Sequence, residues 1–223
     1  MKPEEYWNQV FKYSDYVKGA KYSASDIIGE PLRTKLKKKY PNHDDVKVNE
    51  KTSSFVGSAI HMRCEAWLNA ENDFGETNMQ SEVKLLYKGI SGTADIIYDG
   101  YIIADIKTGG ESTIKSKIKK PEAWSKQLSI YSLLNHKQNK TKYGEYGFIH
   151  WYTTDTKKFG TIKVELYTLE EITNIIKEFM AEMKVPIEET AKCKDCSWLW
   201  RWCSSRSKCS YYVEDDMSAI TDW

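Results

Sequence analysis

The run Ile90-Ser-Gly-Thr-Ala-Asp95-Ile-Ile-Tyr-Asp-Gly100-Tyr-Ile-Ile-Ala-Asp105-Ile-Lys107-Thr108-Gly109 decides the fold. It contains two β-rich segments, Ile90 to Tyr98 and Tyr101 to Lys107, joined at Asp99-Gly100, a dipeptide that tolerates the positive φ of tight hairpins. A third β-rich segment, Val83 to Tyr87, precedes them across Lys88-Gly89, so the three read as a meander. Asp105 and Lys107 are two apart on a strand and share a face. Whether Asp95 joins them depends on the parity of the turn. A two-residue Asp99-Gly100 turn pairs Asp95 with Ala104 and separates the acids. A three-residue loop Tyr98-Asp99-Gly100, with Gly100 left-handed as a bulge, pairs Asp95 with Ile103 and gathers Asp95, Asp105 and Lys107 on one face. We expect that loop or an equivalent bulge.

Outward from the meander the pattern turns helical. Residues 3 to 18 have helical periodicity, and Ser23 or Ser25 caps a second helix running to about Lys39. Pro41 to Asp45 reads as loop. Thr52 or Ser53 starts a helix whose apolar stripe is Phe55, Ile60, Cys64, Trp67 and Leu68, and which carries His61 and Glu65 before Asn69 to Gly75 ends it. Beyond Thr108-Gly109-Gly110 and a lysine-rich stretch, Pro121 suits the first turn of a helix from about Glu122 to His136. Tyr146 to Thr153 and Thr161 to Tyr167 read as strands and Leu169 to Met183 as an amphipathic helix. The order predicts an α/β protein, a mixed central β-sheet flanked by helices, with a cysteine-rich C-terminal segment. The expected division is an N-terminal helical region over 1–50, a core over 51–185 and the cysteine-rich segment over 186–223.

The 223 residues include 33 Lys+Arg against 32 Asp+Glu, a balance that excludes a polycationic coat or an acidic disordered tail. A hydrophobic content of 40% supplies a sizeable core. No window approaches the roughly 18 apolar residues of a membrane span, and Met1-Lys2-Pro3-Glu4-Glu5 opens no apolar leader, so a cytoplasmic location with no membrane partner is expected.

Two carboxylates and a lysine on one sheet face suit phosphodiester hydrolysis. Hard carboxylate oxygens hold Mg²⁺ or Mn²⁺, which activates water and offsets charge on the phosphate, while the ammonium positions that water. Asp-x-Lys alone also describes a surface ion pair. Three further motifs stand beside it: Gly57-Ser-Ala-Ile-His61-Met-Arg-Cys-Glu65, Gly92-Thr-Ala-Asp95 and Gln127-Leu-Ser-Ile-Tyr131. His61 and Glu65 share a helix face, as do Gln127 and Tyr131. By itself His61 also reads as a half-buried helix histidine, Glu65 as a carboxylate behind His61 or plain helix surface, and Gln127 with Tyr131 as helix surface plus core aromatic.

In order and spacing, these four segments from Gly57 to Tyr131 resemble the RecB-like exonuclease branch of the PD-(D/E)XK nuclease superfamily, which includes CRISPR-associated and phage enzymes. The resemblance implies a restriction-endonuclease-like core and a DNA nuclease, of a kind that commonly acts as an exonuclease on single-stranded ends in repair, recombination or phage DNA processing. It implies a two-metal site with Asp95, Asp105, His61 and the backbone carbonyl of Ile106 as ligands, Lys107 assisting the nucleophile, Glu65 nearby, and Gln127 and Tyr131 orienting substrate. Thr108 and the two glycines after Lys107 let a strand end approach a phosphate closely. Lys115, Lys117, Lys119 and Lys120 directly follow that strand and suit DNA phosphates. Any unwinding would come from a helicase or recombination partner, since no Gly-x-x-x-x-Gly-Lys-Ser/Thr loop is present. The alternatives are an endonuclease and a catalytically silent DNA-binding module of the same fold.

Four of the five cysteines, Cys193, Cys196, Cys203 and Cys209, lie near the C-terminus, and the two-residue gap between the first pair lets both thiolates reach one ion. Several RecB-like nucleases carry a four-iron cluster on three such cysteines plus one upstream. Here the corresponding upstream place reads Glu30-Pro31 and lacks the thiolate. The expectation is a [4Fe-4S] cluster or Zn²⁺ with Cys209 as fourth ligand, or unmetallated cysteines packed among Trp198, Trp200 and Trp202.

Overall fold

Hairpin geometry organises the sheet in the computed structural model, which describes residues 20–40, 52–73, 78–191, 193 and 208–209. The expected helix over 3–18, the loop over 41–45, Cys196, Cys203 and the three tail tryptophans lie outside the described residues. Strands β2 (Met79–Tyr87), β3 (Ile90–Tyr98) and β4 (Ile102–Gly109) form the meander. Lys88 and Gly89 both take positive φ, 48° and 78°, so a two-residue turn pairs Tyr87 with Ile90 and fixes the β2–β3 register. Asp99 and Gly100 do the same at 49° and 74°, but the ladder then pairs Tyr98 with Ile102 and leaves Tyr101 as an extra residue. The expected pairing of Asp95 with Ile103 is therefore off by two residues, since Ile103 faces Ile97. Two residues preserve facing, and continuing the register sets Asp95 level with Asp105.

The remaining strands are β1 (Tyr22–Ser23), β5 (Tyr146–Thr153) and β6 (Phe159–Glu165), and the sheet order is β1-β3-β4-β5-β6 with β2 also on β3. β1–β3 and β4–β5 are parallel and the other pairs antiparallel. A parallel β4–β5 pair requires a crossover. Helices α4 (Glu111–Lys119) and α5 (Glu122–Asn139) supply it. The lysine-rich stretch is thus helical, because Ile114 and Ile118 are one turn apart and Ile114 is buried. The second expected helix is broken into α1 (Ala24–Ile28) and α2 (Pro31–Lys39). Pro31 disfavours helical backbone in the residue before it, and Glu30 is extended at φ −88°, ψ 128°. Ser23 does cap α1, its Oγ accepting from Asp26 N at 3.1 Å while Asp26 Oδ2 accepts from Ser23 N at 2.9 Å.

Helix α3 (Thr52–Asp73) lies against one face of the meander, where Leu68 packs with Ile96, Ala104 and Ile106. On α5, Leu128, Ile130 and Leu134 are fully buried. β2 occupies one edge of β3 along its length. On the other edge β1 pairs only with Ile90 and Ser91, and β4 only from Ile96 onward. Gly92 to Asp95 consequently have no ladder partner on that edge among the described residues, and the site forms in this gap.

The chain divides into two compact units, one from residues 1–28 and 51–176, which holds the sheet, and one from 29–50 and 177–223. In the second, Lys35 is buried at 6% exposure and donates to the carbonyl of Val185 at 2.7 Å and to Thr190 Oγ1. Helix α6 (Leu169–Glu182) begins in the first unit and ends in the second. Among the described residues, no helix is long and apolar enough to cross a membrane.

Candidate active site

The site begins with a glycine that lets a helix approach a strand. A Cβ on Gly57 would lie 2.8 Å from Thr108 Oγ1, so its absence allows α3 to approach the end of β4 closely. One turn later His61 meets β4. Its Nε2 is 3.0 Å from the Ile106 carbonyl oxygen, and its Nδ1 faces Asp95 Oδ1 at 3.4 Å and Glu82 Oε1 at 3.9 Å. In the gap beside β3, Asp95 Oδ2 accepts a hydrogen bond from Ile106 N at 2.6 Å. That bond ties Asp95 to β4 just beyond the last ladder pair, Ile96 with Ala104. Burial acts to lower the His61 pKa, but the Asp95 and Glu82 carboxylates outweigh it and hold the imidazole up to about 10.

A second cluster forms around Asp105, which is 3% exposed. Lys107 Nζ forms a close ion pair with Asp105 Oδ2 at 2.5 Å. Gln127 links the group: its Nε2 donates to Asp105 Oδ1 at 3.2 Å and to the Tyr131 hydroxyl at 2.8 Å, and its Oε1 accepts from Lys107 Nζ at 2.9 Å. Burial pushes the Asp105 carboxyl up to about 6 against the pull of Lys107, with Asp95 adding to the rise. Burial, then the charge of Asp105, raises the Tyr131 phenol, which stays protonated at neutral pH. The Tyr131 ring lies over Gly92, where a Cβ would come within 2.4 Å of Cε1.

The structure thus brings His61, Asp95 and Ile106 into one group and Asp105, Lys107, Gln127 and Tyr131 into another, coupled through the Asp95 and Asp105 charges. Glu65 is half-buried on α3 and joins neither hydrogen-bonded group. Thr108 sits against Gly57. Lys115, Lys117, Lys119 and Lys120 are exposed on or just after α4, and Lys115 pairs with Glu111 at 2.8 Å. Cys193 and Cys209 are half-buried.

Glu82 is a member of the first group that the sequence reading did not single out. One ligand atom from each of His61, Glu82 and Asp95 can be chosen so that all lie within 4.8 Å of one another. Two carboxylates and an imidazole form a donor set that could hold a divalent cation. Asp105 Oδ2 is buried against the Lys107 ammonium. The residues present fit a divalent cation.

Comparison with solved structures agrees with this fold. The protein in the crystal structure of SSO0001 aligns with TM-score 0.64 at 19% identity, covering 96% of this chain and 98% of that one. A candidate exonuclease from Eubacterium rectale aligns at 0.52 with 16% identity, covering 89% and 92%. The alkaline exonuclease LHK-Exo from Laribacter hongkongensis gives 0.49 at 13% identity, covering 82% and 94%. No curated protein matches the chain. The model of the PD-(D/E)XK nuclease superfamily matches residues 9–204, across both the His61–Asp95 and the Asp105–Lys107 groups, and the chain belongs to that superfamily.

Proposed function

We propose that this protein is a Mg²⁺- or Mn²⁺-dependent deoxyribonuclease of the RecB-like kind, acting as an exonuclease on single-stranded DNA ends. The observation that carries the reading is the convergence on one β-meander of an imidazole, two aspartates, the Ile106 carbonyl and a lysine bonded to Gln127. His61, Asp95, Asp105 and the Ile106 carbonyl are the ligands we assign, with two ions as the full complement. When bound, the cations supply Lewis-acid stabilisation of the phosphate and a more acidic water.

The chain's own groups do the rest. Gln127 holds the Lys107 ammonium beside Asp105, where it positions a water or a phosphate oxygen. Tyr131, kept neutral by burial, offers a hydroxyl near the same point without adding charge. DNA is the polymer we assign from the resemblance of the motifs between Gly57 and Tyr131 to RecB-like nucleases, and end-directed cleavage in repair, recombination or phage DNA processing is what that resemblance implies. A helicase or recombination partner would present the single strand.

The test is Mn²⁺-dependent degradation of labelled linear and circular single strands, with Asp105→Ala as control. Cleavage of linear but not circular DNA, abolished in the variant, is the expected result. Cutting of circles would make the protein an endonuclease, and equal residual rates in parent and variant would leave a silent DNA-binding module. For the tail we assign Cys193, Cys196, Cys203 and Cys209 to one [4Fe-4S] cluster or Zn²⁺. Absorption near 400 nm in anaerobically purified protein would indicate a cluster, stoichiometric zinc would indicate the ion, and absence of both would remove the assignment.

A further inference from the structure

Phe159, the first residue of β6, is 82% exposed, more than any other large hydrophobic side chain among the described residues. The antiparallel ladder pairs it with Tyr152 on β5, so the two rings share a face of the sheet. That face continues back along β5 through His150, Phe148 and Tyr146, each two residues from the next and all half-buried. The Phe148 and His150 rings lie 6.4 Å apart with planes at 24°, and Lys163 Nζ is 4.0 Å from the centre of the Tyr146 ring. Across the parallel ladder, His150 is level with Ile106 and Tyr152 with Thr108. Tyr152 and Phe159 therefore stand one and two strands from Thr108, at the end of the sheet where β4 leaves the candidate site.

The same end of the sheet carries positive charge. Both Asp155 carboxylate oxygens, in the turn between β5 and β6, accept from Glu111 N at 3.0 Å, and Thr154 N donates to the Gly109 carbonyl at 2.9 Å. The turn is thus fastened to the start of α4, the lysine-rich helix, while Lys157 within it and Lys163 on β6 are exposed. Aromatic rings set among lysines suit a single-stranded nucleic acid, whose bases offer π-faces and whose phosphates are anionic. We propose that Tyr152 and Phe159 are substrate-binding residues on which bases of single-stranded DNA stack beside the proposed nuclease site, with Lys157 and Lys163 near the phosphates. The proposal rests on the nuclease reading for the course of the strand past β4.

The exposure of Phe159 makes its role separable from folding, since a side chain so open to solvent contributes little to the core. Phe159→Leu and Tyr152→Leu remove a ring and keep apolar bulk, whereas Phe159→Trp keeps a ring. Binding would be measured in chelator, so that nothing is cut, by fluorescence anisotropy with labelled oligothymidine and with an abasic oligomer of equal length and charge. Each leucine variant should bind oligothymidine ~5–100-fold more weakly, with unchanged affinity for the abasic oligomer and an unchanged salt slope. Phe159→Trp should bind at least as tightly as the parent. Equal losses on the two oligomers, or no loss in Phe159→Leu on either, would overturn the proposal. So would a parent dimer that Phe159→Leu dissociates without change in DNA affinity, which would give the face to a second copy of the chain. Cleavage with Mn²⁺ separates the two readings. A parent that binds through these rings and never cuts fails the nuclease reading alone, whereas a parent that cuts while Phe159→Leu binds normally fails this proposal alone.

Discussion

Asp105 is an acid held where its charge is unwelcome. Burial raises its pKa to about 6, so between its ordinary value of 3.8 and about 6 the folded chain binds more protons than the unfolded one. Its contribution to stability is full below 3.8 and is lost as pH rises through about 6. Asp105→Asn should therefore raise the thermal midpoint of chelated protein at pH 8 while lowering cleavage at least ~10²-fold, a split that a merely structural residue would not give. His61 carries the same sign over a higher window. Its folded pKa of about 10 exceeds the usual 6.5, so chelated protein should lose stability progressively above pH 6.5 and fully past 10. On the proposed assignment of His61 as a ligand, a cation displaces a proton from this ring, so apparent Mn²⁺ affinity should rise with pH, as read by titration calorimetry.

At the scale of elements, glycines set how closely the pieces approach. An alanine at Gly92 would place its Cβ 2.4 Å from the Tyr131 ring and force the ring aside, and with it the hydroxyl that accepts from Gln127. Gly92→Ala should cost ~1–3 kcal/mol in chemical denaturation and also weaken cleavage. Gly147→Ala, whose Cβ would lie 2.5 Å from the Ile103 carbonyl oxygen, should cost stability of the same order, with a rate loss that follows the folded fraction. The strands, turns and motif faces were legible because Lys88-Gly89 and Asp99-Gly100 punctuate alternating or continuous β-branched runs. Glu82 was legible in principle: a two-residue turn at Lys88-Gly89 counts back to a pairing of Glu82 with Asp95. Gln80-Ser-Glu82 has no apolar alternation, so periodicity alone starts the strand at Val83 and passes over Glu82. The Asp99-Gly100 register was misjudged for a different reason. A left-handed two-residue turn and a bulge at Tyr101 occur together there, and local sequence does not reveal where the extra residue falls. The break at Pro31 does not show in the periodicity, which continues across a residue that favours the first turn of a new helix.

At the scale of the molecule, charge is balanced overall but not locally. Lys117, Lys119 and Lys120 are exposed, whereas Lys115 and Lys158 both pair with Glu111, at 2.8 and 2.7 Å. Replacing Lys117, Lys119 and Lys120 together by glutamine should make the log–log salt dependence of single-strand binding shallower by ~2, whereas Lys115→Gln alone should change it little. Fluorescence anisotropy across a salt series reads both slopes. The interrupted edge of β3 bears on the motions of the whole sheet. Among the described residues no strand pairs with Gly92 to Asp95 on that side, so amides pointing out of it should exchange through smaller openings than those flanking them, which require β1 or β4 to detach. Deuterium uptake over this four-residue window is therefore a gauge of cleft occupancy that needs no turnover, fast in the empty protein and slowed once cation and oligonucleotide fill the space a neighbouring strand would otherwise take.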